Sequence, residues 1–158
     1  VQVNFLRKTI ACLFLVSGAA HADPFNEVAS RFHLDPLLLK AIAAKESKNE
    51  NSAVNTNTNQ TEDVCMMGIN SSHYAQLRRF GITRTRLLSE PKVCIATGAY
   101  ILNNFFEHYG RSWDSLGMYN TGPNPKLKSL RASYAASVRE IYLRLTKESG
   151  TEPHPFSD

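Results

Sequence analysis

The chain has 158 residues, of which 42% are hydrophobic, 9% aromatic and 20% charged, and its formal net charge is +4. That length suits one domain with one core and is too short for two. Without Arg7 and Lys8 the charge is about +2 with both signs spread along the chain, which argues against a nucleic-acid or other polyanionic partner.

Residues 1–22 read as an export signal. Arg7 and Lys8 form a basic start, 9–16 is apolar, and Ala20-His21-Ala22 is a small-x-small cleavage site before Asp23. The expectation is a mature protein that begins at Asp23 and resides in the periplasm. No later run approaches the length of a membrane span, because the best candidate, 37–44, is broken by Lys40. Export would leave Cys65 and Cys94 where disulfides form, and an even pair favours one bridge, the alternative being two buried thiols. There is no Cys-x-x-Cys and no His-Glu-x-x-His, and His33, His73 and His108 sit singly, so no metal or other cofactor is called for.

Asp23-Pro24 and Asp35-Pro36 each pair an N-cap with proline at the first helical position, so helices start at both. The first is predicted to reach His33 and the second Ser47. Residues 49–63 are rich in Asn and Thr, too polar for a core, and read as a loop or small irregular hairpin. A short apolar passage, 64–70, leads to a predicted helix containing Tyr74, Leu77 and Phe80, and Thr83 caps a further turn through Leu88. The longest internal helix is predicted over 91–109, with Ile95, Ala99, Leu102 and Phe106 on one face. A short one follows from Ser112 or Trp113 to Thr121, stopped by Pro123 and Pro125, and a last amphipathic helix spans about 128–147. Residues 149–158, with two prolines and few large apolar groups, are expected to be a disordered tail.

Glu46 ends the second helix on the face that carries Leu38, Leu39 and Ile42. A carboxylate on a face that must be buried resists ionisation, and a Glu that keeps its proton near neutral pH suits general-acid cleavage of a glycosidic bond. The bland alternative is a helix-end residue turned to water. Asp63 lies across the polar loop, so an apolar acid and a solvated one can share a cleft, as sugar cleavage requires. Its own bland reading is a turn or cap residue.

Together, Ala44-Lys45-Glu46-Ser47, Ala53-Val54-Asn55, Asp63 with Met66-Met67 and Ile69-Asn70-Ser71, Gly98-Ala99 with Ile101-Leu102, Tyr119-Asn120 with Gly122, and Tyr134-Ala135 with Val138 form six blocks in order. They resemble the lytic transglycosylases of the lysozyme-like superfamily, in particular the small exported IagB type that accompanies type III secretion, type IV pilus and conjugation machines. The likeness covers residues 24–145.

It implies a mainly α, lysozyme-like α+β domain over 23–148, with a small hairpin or loop flanking an active-site cleft. It also implies a peptidoglycan glycan strand as substrate. Glu46 would protonate the oxygen between N-acetylmuramic acid (MurNAc) and N-acetylglucosamine (GlcNAc), then deprotonate the 6-hydroxyl to give a 1,6-anhydro product. Ser47, Met67, Asn70, Tyr119 and Asn120 would contact substrate or acid, with Asp63 as second carboxylate. Ser47 satisfying the helix end, Asn70 as a cap and Tyr119 as a core aromatic bonded to the backbone are the alternatives.

The chain departs from the usual Gly-Leu-Met-Gln-Ile-Asn, which reads Cys65-Met66-Met67-Gly68-Ile69-Asn70, and Cys94 stands where Asn is usual. Two departures that are both cysteines predict a Cys65–Cys94 bridge in place of a hydrogen-bonded contact; a Cα separation above about 7 Å would exclude it. A hydrolysing muramidase and a non-catalytic wall-binding scaffold remain competing readings.

Overall fold

The computed structural model describes residues 23–156, so the expected export signal lies outside the described residues. Helices α1 (Pro24–Phe32) and α2 (Pro36–Ser47) begin as the Asp-Pro pairs predict. Asp23 Oδ1 accepts from Phe25 N at 3.0 Å and Asp35 Oδ1 from Leu37 N at 2.8 Å, each satisfying an amide that the first turn leaves without a partner. The polar segment is a hairpin of β1 (Val54–Thr56) and β2 (Glu62–Val64). A third antiparallel strand, β3 (Ile69–Asn70), pairs Asp63 with Asn70 and Val64 with Ile69.

A 3-10 turn (Ser71–His73) leads into α3 (Tyr74–Leu77), and α4 (Arg84–Ser89) is capped by Thr83. The central helix α5 (Pro91–Tyr109) buries Ile95, Ala99, Leu102 and Phe106, the face read from the spacing. Helix α6 (Trp113–Thr121) has a Ser112–Ser115 capping box, and α7 (Lys128–Ser149) packs against both α2 and α6. Leu38, Leu39, Ile42, Ile95, Leu102, Leu116 and Val138 are fully enclosed, so one core joins α2, α5, α6 and α7, and the sheet lies to one side of it. Among the described residues no helix is long and apolar enough to cross a membrane.

The tail differs from expectation. Residues 151–156 fold back on the domain, with the Phe156 ring 5.0 Å from Trp113 and 5.8 Å from Phe106 between centroids. One aromatic side chain suffices because α5 and α6 present an aromatic recess to it. His154 N donates to Tyr142 Oη at 2.9 Å, and that hydroxyl donates to Asp35 Oδ2 at 2.5 Å.

Candidate active site

Helix α2 delivers Glu46 at its last turn, where the apolar face that buries Leu39 and Ile42 runs out beneath the sheet. Its carboxyl sits in a cleft of about 550 Å³ between the helices and the hairpin. Burial pushes its proton affinity up, and the negative charge of Asp63 pushes the same way. The Tyr134 hydroxyl, which donates to Glu46 Oε1 at 2.5 Å, and the nearby Lys45 act in opposition without reversing the shift. The result is an acid that holds its proton above the ordinary value near 4.5. Tyr134 is itself buried beside Glu46, so its phenol is raised well above the usual range and remains a donor.

The opposite wall is the hairpin. Asp63 projects from β2, where Asn57 Nδ2 donates to its Oδ2 at 2.8 Å and Asn70 Nδ2 to its Oδ1 at 2.7 Å. Thr61 Oγ1 accepts from both amides as well, at 3.1 Å from Asn57 and 3.0 Å from Asn70. Two side-chain amides therefore fix the carboxylate's orientation from both sides. Asn70 also serves as the predicted cap, its Oδ1 accepting from Ser72 N at 2.9 Å.

Of the residues expected in the site, Glu46, Asp63, Asn70, Tyr119 and Asn120 line this cleft. Tyr119 borders the cleft, and its hydroxyl donates to Met67 O at 2.8 Å. Two expectations are corrected. Met67 is fully enclosed and turned toward Gly98, because a thioether is better accommodated in the core than at a polar cleft. Ser47 donates to Met66 O at 3.0 Å and accepts from Glu50 N at 3.0 Å, so it ties the end of α2 to the 65–68 turn. His73 also borders the cleft, its imidazole kept toward the neutral form by burial.

Tyr134, which the sequence offers only as part of the last block of the resemblance, is the partner of Glu46 to which sequence reasoning gives no role. The available signal was a tyrosine on the buried face of α7, whose hydroxyl must find a partner. The residues departing from the usual motif form one unit: Cys65 and Cys94 are bridged with a Cα separation of 6.2 Å, inside the limit for a disulfide. Gly68 adopts φ +61°, and a Cβ there would lie 2.6 Å from Glu46 Oε2. The carboxyl group thus rests on bare backbone. Among the described residues no cluster of His, Cys, Asp or Glu suited to a metal ion occurs.

The family model described as the transglycosylase SLT domain matches residues 23–142. The chain is 39% identical over 137 residues to protein IpgF of Shigella flexneri, covering 87% of this chain and 90% of that protein. It is 35% identical over 144 residues to invasion protein IagB of Salmonella typhi, covering 90% of each. A solved structure of an inactive mutant of lytic transglycosylase Slt from Pseudomonas aeruginosa shares the fold, with a TM-score of 0.69 at 18% identity. That match spans 88% of this chain and only 26% of Slt. The chain belongs to the transglycosylase SLT family, the lytic transglycosylases built on a lysozyme-like fold.

Proposed function

We propose that this protein cleaves the β-1,4 bond between MurNAc and GlcNAc in peptidoglycan, with Glu46 as the single residue that moves protons. The placement of Glu46 in the cleft, where burial raises its proton affinity and Tyr134 holds its carboxyl, is the observation that carries the reading. It gives that proton to the bridging oxygen as the C1–O bond breaks, and the substrate's acetamido oxygen bonds to C1 in place of the leaving sugar. The carboxylate so formed takes the 6-hydroxyl proton, O6 attacks C1, and the acetamido group is released. The 1,6-anhydro ring closes without water and Glu46 returns to its protonated form. Tyr134 steadies Glu46 in the charged half of this cycle. Asp63 acts as second carboxylate beside the developing cation, while Asn70, Tyr119 and Asn120 hold the sugar.

The reading includes export after residue 22, action in the periplasm, and local opening of the wall for a secretion, pilus or conjugation apparatus. Likeness to an invasion protein supports that setting. A second reading, a hydrolysing muramidase, is favoured by Asp63 bordering the same cleft as Glu46.

Mass spectrometry of muropeptides released from sacculi by the wild type and by Glu46→Gln separates these. Anhydro ends from the wild type and none from the variant are expected. Reducing ends would replace transglycosylation with hydrolysis. Equal release by both proteins would remove Glu46 as the acid, whereas sedimentation with the wall without release by either would replace the enzyme reading with a wall-binding scaffold.

A further inference from the structure

The Cys65–Cys94 bridge stands at the base of the turn on which Glu46 rests. Gly68 N donates to Cys65 O at 3.0 Å and closes that turn. Cys65 has φ +60°, a left-handed conformation that a side chain disfavours. Both cysteines are enclosed, and Met67 N donates to Cys94 Sγ at 3.3 Å. Three residues after Cys65, Gly68 brings backbone so near Glu46 Oε2 that no Cβ fits between them. This backbone is part of what keeps water from the acid.

We propose that the disulfide is a positioning element of the active site: it holds Cys65 in its left-handed state, which seats Gly68 against Glu46, so that the enzyme reaches its full rate only when oxidised. Without the bond nothing covalent opposes relaxation of Cys65 toward negative φ, and relaxation there carries Gly68 away from the carboxyl. Bridge formation takes two electrons and two protons from the thiols. An exchanging disulfide accepts them and leaves as two thiols. Synthesised in a reducing compartment, the chain would remain a poor enzyme until such an oxidant reaches it. The proposal rests on Glu46 being the acid, as set out above.

The test compares the residue 23–158 protein refolded with a disulfide oxidant, the same protein refolded reduced with its thiols counted by alkylation and mass, Cys65→Ala/Cys94→Ala, and Cys65→Gly/Cys94→Asn. The last pair offers a glycine that takes φ +60° freely and a carbonyl that can accept from Met67 N. For each, near-ultraviolet circular dichroism at the assay temperature is recorded with kcat and KM on soluble glycan strands against pH. The reduced and alanine forms should stay folded and lose kcat by about tenfold with little change in KM. Their basic limb should lie at lower pH, because water regains the Glu46 carboxyl. The glycine/asparagine form should recover most of the lost rate and the limb position.

Folded unbridged forms with wild-type kcat and limb would overturn the proposal. So would equal, unshifted losses in both double variants, or unfolding of the unbridged forms, either of which makes the bridge a folding element only. Oxidised Glu46→Gln is the separate control: if it matches the oxidised wild type, the assignment of the acid fails, whatever the cysteines do.

Discussion

The two walls of the cleft treat a carboxylate in opposite ways. On the helical side, Glu46 has one side-chain donor, Tyr134, and rests against the bare backbone of Gly68. On the hairpin side, Asp63 receives an amide hydrogen bond on each oxygen from a short strand and the turns beside it. An acid that must give up and regain a proton belongs where few dipoles favour its charge. A carboxylate that must face a cation belongs where its direction is fixed. A long helix supplies the first environment because its inner face is buried, whereas a three-residue strand in a polar sheet supplies the second.

Exchanging or erasing these environments breaks the comparison in graded ways. Glu46→Gln removes the proton carrier and should lower kcat on sacculi by about a thousandfold. Asp63→Asn should cost about a hundredfold. Because the charge of Asp63 raises Glu46, this variant should also move the basic limb of kcat/KM to lower pH. Gly68→Ala forces either the turn or the acid to shift, and a loss of roughly thirtyfold in kcat with a smaller change in KM is expected.

Tyr134→Phe removes the donor that favours the ionised acid, so its limb should move to higher pH, opposite to Asp63→Asn, with about a tenfold fall in rate. Limbs that move the same way in these two variants would contradict the contrast between the walls. The smallest effect is on stability. Since folding raises the Glu46 pKa, ionisation in the unfolded chain lowers wild-type stability as pH rises from about 4.5 to the folded value. Glu46→Gln should therefore gain in melting temperature over wild type at pH 7, and the gap should narrow below pH 4.

The helical wall was far more legible in the sequence than the hairpin wall. Asp23-Pro24, Asp35-Pro36 and the spacing of Ile95, Ala99, Leu102 and Phe106 locate helices because caps and periodicity are local signals. The same periodicity puts Glu46 on a buried face. It says nothing of Tyr134, which meets Glu46 from 88 residues away through helix packing that no local pattern encodes. The pairing of Asp63 with Asn70 depends on a third strand too short to show alternation. Ser47 and Met67 escape sequence reasoning for a related reason: closeness in sequence to an active-site residue or turn does not mean closeness to substrate, since Ser47 ties α2 to the turn and Met67 points into the core. Composition alone misjudges the tail, because it counts apolar residues and cannot see that Phe156 has an aromatic recess to enter.

At Tyr142, three distant stretches of chain meet on a single phenol oxygen. It is hydrogen-bonded to Asp35, whose other carboxylate oxygen starts the acid-bearing helix, and it accepts an amide from the returning end of the chain at His154. Trimming the last few residues or replacing this tyrosine with phenylalanine would therefore loosen the first turn of α2 while leaving its final turn, and Glu46, in place. Such changes would show up in melting behaviour and susceptibility to proteases well before bond cleavage slowed, so the far end of that helix acts as a clasp for the molecule.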